Sequence, residues 1–225
     1  MQLVDEYKGD GCIMVKTVVC FGDSNTHGYN AENGGRFDIS ERWTRILGRE
    51  LGNEYDVIEE GLSGRTTVFN DPLFEGLSGL EAIHSCLMSH EPVDILIIML
   101  GTNDTKARFS ATSRNIAQGL ARLTEKAKHT VGAWRGTPQI ILVSPVPIEQ
   151  GCLTSDVGGE MGPGCVEKSL DLGKQFERIA REQGCMFLDA GKIPGIGVIP
   201  TDYMHLTRES HRRLADALAE VIRKL

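Results

Sequence analysis

This chain lacks most of what would mark it for a membrane, a nucleic acid or a disulfide scaffold. No apolar run approaches the length of a bilayer span, and residues 1–16 carry Asp5, Glu6, Lys8 and Asp10 where a secretory signal needs an unbroken apolar stretch. A cytoplasmic location is the expectation, with no membrane as partner. The 24 lysines and arginines are scattered singly against 31 acidic residues, for a net charge of −7, so no basic stripe is available for nucleic acid or anionic lipid. A neutral small molecule suits such a chain better. Six cysteines in 225 residues are too few for a disulfide framework, and none forms a C-x-x-C pair for metal or redox work; they read as small buried hydrophobes. Repeats, low-complexity tracts and Pro/Ser linkers are missing too, which argues for one domain over residues 17–225 behind an N-terminal arm, 1–16.

What the chain does have is regular alternation. Apolar runs at 17–21 (TVVCF), 55–58 (YDVI), 94–100 (DILIIML), 139–143 (QIILV) and 185–188 (CMFL) suit strands covered on both faces. Amphipathic stretches at 41–51, 78–89, 111–130, 166–183 and 208–224 space their apolar residues by three and four, as helices do. Strand and helix in turn predict a three-layer α/β/α domain on a five-stranded parallel sheet with right-handed crossovers and a flavodoxin-like order, 2-1-3-4-5. Ligands bind such sheets beyond the carboxyl ends of the strands. Four segments qualify: Gly22-Asp23-Ser24, Gly61 to Thr66, Gly101 to Asp104, and Asp202 to His205.

A serine hydroxyl needs a base to take its proton, and the base needs a third group to hold its ring. Ser24, His205 and Asp202 can fill these roles, Asp202 and His205 standing three apart in a loop before the last helix. His84, His90, His129 and His211 are weaker bases, satisfied or solvated on helices, and His27 is a pocket-lining candidate. Acyl transfer also requires donors for an oxyanion, and the Ser24 N–H, the Gly64 N–H and the Asn103 side-chain amide are the candidates. Asp104 is expected to cap the following helix, and Asp23 to cap or buttress its own loop. The Gly-rich segment 150–165 reads as a pocket wall, a subunit contact or a mobile surface loop. No G-x-S-x-G elbow, P-loop or G-x-G-x-x-G is present, which removes the α/β-hydrolase and nucleotide-binding readings.

The blocks FGDSN, GLSGRTT, LGTND and DYMH, in this order, resemble the four signature blocks of the SGNH (GDSL-like) hydrolases, and they match Ser24, Gly64, Asn103 and His205, with Asp202 as the acid. The longer strings VIEEGLSGRTT and LIIMLGTNDTKARF are most similar to the arylesterase and acyltransferase subgroup. The resemblance spans about residue 17 to the end. It implies a serine esterase for short-chain esters, able to pass the acyl group to alcohols, without metal or cofactor and often a homo-oligomer. A carbohydrate acetylesterase is the nearest alternative, and a non-catalytic small-ligand module the alternative outside enzymes. Two departures stand out: Asn25 replaces the Leu of the family's name, and His27 and Tyr29 stand where the arylesterase subgroup carries tryptophans.

Overall fold

The computed structural model describes residues 14–225; of the predicted N-terminal arm, residues 1–13 lie outside the described residues. The chain runs β1 (Lys16–Gly22), α1 (Ser24–His27), a hairpin of β2 (Tyr29–Asn30) and β3 (Gly35–Arg36), α2 (Trp43–Leu51), β4 (Tyr55–Gly61), α3 (Gly79–Ser89) and β5 (Val93–Met99). It continues through α4 (Ser113–Lys128), β6 (Trp134–Ser144), α5 (Gly158–Met161), α6 (Cys165–Gln183), β7 (Met186–Asp189) and α7 (Arg208–Ile222). Five parallel strands form one sheet in the order β4-β1-β5-β6-β7, which is the expected 2-1-3-4-5 once the hairpin is set aside. No helix among the described residues is long and apolar enough to cross a membrane.

Strand periodicity divides the core in two. Val19, Phe21, Leu96, Ile98, Ile140 and Leu142 face one layer, packed on Ile83 and Leu87 of α3, Ile116 and Leu120 of α4, and Leu172 and Phe176 of α6. Their neighbours Val18, Cys20, Ile95, Ile97, Ile141 and Val143 face the other, under Trp43 and Leu47 of α2 and Leu214 and Leu218 of α7. Burial on both faces explains the unbroken apolar runs, each large side chain contributing about 1.5–3 kcal/mol.

Helix ends follow local chemistry. Thr112 and Asn115 form a capping box on α4, and the Thr207 hydroxyl accepts the Ser210 N–H of α7 at 3.1 Å. The stretch read as a helix from residue 41 starts at Trp43, because Arg42 is extended and spans back to Glu59. Segment 150–165 is structured: a 3-10 turn, α5 and the start of α6 bury Cys152, Met161 and Cys165 in a small cluster with Ile148, Val166 and Met204. Apolar residues too far apart for a helical or strand period hid that order.

The strand ends are level, with Gly22 of β1 paired to Gly61 of β4 and to Met99 of β5. A single turn of helix, α1, lies directly on this edge. A Cβ at Gly61 would come within 2.1 Å of the His27 nitrogen, so only glycine allows that approach. Gly61→Ala is expected to lower the unfolding free energy by about 1–3 kcal/mol through overpacking. Gly136→Ala, whose Cβ would meet nothing within 4 Å, is expected to change it by less than about 0.5 kcal/mol. Urea denaturation of both variants measures the difference; equal losses would mean that α1 is free to shift.

Candidate active site

At the carboxyl end of β1 the Asp23 carboxylate accepts the Asn25 N–H at 3.0 Å and starts α1, making Ser24 its first residue. The Ser24 N–H therefore has no acceptor within its helix. Ser24 Oγ lies 2.8 Å from His205 Nε2, and His205 Nδ1 lies 2.5 Å from Asp202 Oδ2. The other Asp202 oxygen accepts the backbone N–H groups of Met204 and His205, both at 3.1 Å. All three side chains are buried. Between them Tyr203 takes a left-handed φ of 62°, a strained conformation held by bonds from its N–H to the Ile199 carbonyl and from the Glu149 N–H to its own carbonyl.

Asn25 links the two halves of this arrangement. Its Oδ1 accepts the Leu206 N–H at 2.9 Å and its Nδ2 donates to the Met204 carbonyl at 3.3 Å, so one amide spans both sides of His205. Its carbonyl in turn accepts the Trp43 indole N–H at 3.1 Å. The sequence marks Asn25 only as a departure from the family's Leu; no spacing announces a bond across 181 residues.

Gly64 and Asn103 come to the same place. Gly64 has a φ of 87°, open to glycine without strain, and Asn103 donates one amide hydrogen to the Arg65 carbonyl at 3.1 Å. Ser24, Gly64, Asn103 and His205 line a cavity of about 200 Å³ with Tyr29, Ser63, Lys106, Val157 and Met204. It meets a second cavity of about 400 Å³, to which Ser63, Gly64 and Lys106 are common and which adds Phe74, Leu77 and Glu160. A larger space of about 600 Å³ between α2 and β4 holds Arg45, Arg49 and Asp56 but no nucleophile and base in contact.

The remaining candidates sort plainly. Tyr29, not His27, faces the site, its ring 4.6 Å from that of His205. His211 is a core residue: its Nδ1 accepts the Trp43 N–H at 3.3 Å and burial pushes its pKa down to about 3. His90 pairs with Glu60, and His129 lies on the surface beside Glu125. Among the aromatic side chains, Trp43 is core, Phe69 stacks on Phe109, and Phe74 reaches the second cavity. Val157 brings segment 150–165 to the site as a wall.

Asp104 does not cap the following helix. It lies within the first of two short 3-10 turns that precede α4, and its carboxylate turns inward to Thr67, whose N–H lies 2.9 Å from Oδ1 and whose hydroxyl also donates to that oxygen. Burial outweighs those bonds and pushes its pKa up to about 7. Asp23 is likewise pushed up to about 6 by burial, against the Asn25 N–H and the charges of His205 and Arg65. For Asp202 burial also acts upward, but the His205 bond and charge and the two backbone N–H groups hold it below the usual carboxylate range. Arg65 fills the space beneath, its guanidinium 4.1 Å from the Phe21 ring centre and bonded to the carbonyls of Gly22 (2.9 Å) and Glu60.

A buried hydroxyl, an imidazole bonded to both it and a carboxylate, and a nearby amide are groups that can activate a nucleophile and receive negative charge. Residues 20–223 match the model of the GDSL-like lipase/acylhydrolase family. Among solved structures the chain is similar to the native aryl esterase of M. smegmatis, at 38% identity and a TM-score of 0.86 over 94% of this chain and 100% of that one. It is also similar to a carbohydrate acetylesterase from Sinorhizobium meliloti, at 34% identity and a TM-score of 0.84 over 93% of this chain and 99% of that one. A comparison with curated proteins finds no match.

Asn25→Ala is expected to cost about 1–3 kcal/mol of stability, because the Leu206 N–H and the Met204 carbonyl lose their buried partner; an unchanged denaturation midpoint would show that water replaces the amide. A second expectation concerns pH. Asp23 and Asp104 both bind their protons more tightly folded than unfolded, so their contribution to stability is complete below about 3.8 and is lost as pH rises through about 6 to 7. Unfolding free energy should therefore fall between about pH 5 and about pH 8, and Asp104→Asn should flatten the fall. Urea titrations at both values, with identical slopes for wild type and variant as the contrary result, check this.

Proposed function

The chain belongs to the GDSL-like lipase/acylhydrolase family, and we propose that it is a serine esterase for short-chain aryl or alkyl carboxylic esters. Ser24 Oγ attacks the ester carbonyl while His205 Nε2 takes its proton, and Asp202 keeps Nδ1 protonated and stabilises the imidazolium. The developing oxyanion is received by the Ser24 N–H, the Gly64 N–H and the free hydrogen of the Asn103 amide. His205 then protonates the departing alcohol. Water resolves the acyl-enzyme with His205 as base, or a second alcohol does so by transesterification.

The observation that carries this reading is the unbroken line of bonds from Asp202 through His205 to Ser24, at 2.5 and 2.8 Å. The cavity sizes support the substrate class. About 200 Å³ at the nucleophile suits a short acyl group, and the adjoining space of about 400 Å³, with Phe74 and Leu77, offers room and apolar contact for an aryl or alkyl alcohol. The polar part of that space, with Ser63, Lys106 and Glu160, favours a second reading in which the alcohol is an acetylated sugar.

A fluorophosphonate should label wild type at Ser24 and leave Ser24→Ala unlabelled, with p-nitrophenyl acetate turnover reduced by about 10³-fold or more and the circular dichroism spectrum unchanged. Full turnover in the variant would assign the nucleophile to another residue, and an unlabelled wild type would favour a non-catalytic ligand module. Aryl acetates assayed beside acetylated sugars then separate the two ester classes by kcat/KM.

A further inference from the structure

On the face of β4 turned toward α3, a second group of chemically reactive side chains lies outside the ester site. Glu60 Oε1 is 2.7 Å from His90 Nε2, and one donor atom from each of Glu60, Cys86 and His90 lies within 4.8 Å of the others. Their convergence follows from two periodicities. Cys86 and His90 are four residues apart, the latter capping α3, so they share one helix face. Glu60 follows Ile58 by two along β4, and both Ile58 and Cys86 pack against the same core cluster.

We propose that Glu60, Cys86 and His90 bind a divalent transition-metal ion of the zinc type, through the Cys86 thiolate, His90 Nε2 and a Glu60 carboxylate oxygen. One thiolate, one imidazole and one carboxylate form a mixed donor set that suits zinc, whereas calcium and magnesium call for oxygen ligands throughout. Bond lengths of about 2.0–2.3 Å to a tetrahedral ion imply ligand separations of about 3.4–3.6 Å. The Glu60–His90 pair, now in direct hydrogen-bond contact at 2.7 Å, would open by somewhat under an ångström to admit the ion, and Cys86 Sγ already lies within 4.8 Å of both. Glu60 and His90 are partly exposed, at 31% and 24% of their side-chain surface, which leaves a path for the ion and a fourth position for water. Without a cation, burial and the Glu60 charge, opposed by Arg65, push the thiol up to about 12, and Cys86 packs as a small apolar group. Metal uptake releases the thiol proton to solvent, and the two negative ligands balance the dication.

Such an ion would tie α3 to the end of β4, where the Glu60 carbonyl holds Arg65 and the Arg65 carbonyl holds Asn103. Its role would be to brace these elements, since none of the three ligands lines the ester cavity.

Co²⁺ titration of the EDTA-stripped full-length protein tests the site independently of ester hydrolysis. The expected result is one Co²⁺ per chain with tetrahedral d–d bands and a thiolate charge-transfer band, displaced by Zn²⁺, and a melting temperature raised by Zn²⁺. Cys86→Ser, nearly isosteric, should lose the charge-transfer band and the thermal shift. His90→Gln should weaken binding by more than the roughly 10–100-fold typical of lost outer partners. Absence of the band in wild type, or its persistence in Cys86→Ser, would overturn the proposal.

Discussion

The contact between Ser24 Oγ and His205 Nε2 joins residues 181 positions apart, and the remainder of the site is arranged so that it can form. Neither partner is held by its neighbours in sequence alone. Ser24 owes its position to a strand that ends level with its two neighbours and to a helical turn seated on glycine. His205 owes its position to a loop pinned by Asp202, by the Asn25 amide and by the bonds of Tyr203 to residues 149 and 199. Ordering such a loop costs about 1–2 kcal/mol per residue in backbone entropy, so several specific bonds are needed to hold one imidazole in register.

Those bonds require polar groups in places that burial would otherwise reserve for carbon. Asp23, Asp104 and Arg65 are all nearly inaccessible beneath the nucleophile loop, and a lone ionised group there would cost several kcal/mol. Each is bonded instead: Asp23 to the first turn of α1, Asp104 to Thr67, Arg65 to two strand-end carbonyls. The upward pull on both carboxyls shows that bonding offsets burial only in part. Stability is thereby given up near neutral pH for a rigid floor under Ser24, Gly64 and Asn103.

The sheet and its helices were legible in the sequence because burial on both faces leaves runs such as VVCF and ILIIML with little alternative to a central parallel strand. The four strand-end segments were legible for the same reason: once the strands are placed, topology puts Ser24, Gly64, Asn103 and His205 on one edge. What escaped was whatever depends on side-chain direction. Asp104 looks like a cap and turns to Thr67; His27 follows the nucleophile, yet Tyr29 meets His205; Asn25 stands out only as a departure from the family's Leu and bridges two loops. Segment 150–165 escaped for another reason, since its buried cysteines and methionine contact the His205 loop through Met204 without any regular period.

The edge strand β4 shows how one short run of sequence serves several of these demands. Alternation sends Val57 and Glu59 to the α2 layer and Ile58 and Glu60 to the α3 layer. Glu59 draws in Arg42 through two bonds of 2.9 and 3.0 Å, which sets the start of α2 and steadies the hairpin carrying Tyr29, since Arg42 also donates to the Phe37 carbonyl. Glu60 anchors the end of α3 through His90, and its carbonyl holds Arg65. Gly61 then clears the way for α1. A charged pair at the open edge of a sheet also discourages pairing with another chain. Two adjacent glutamates on an exposed strand thus fix both helical layers against the edge on which the nucleophile stands, and the rigidity of the Gly64 loop is inherited from the periphery of the sheet as much as from its core.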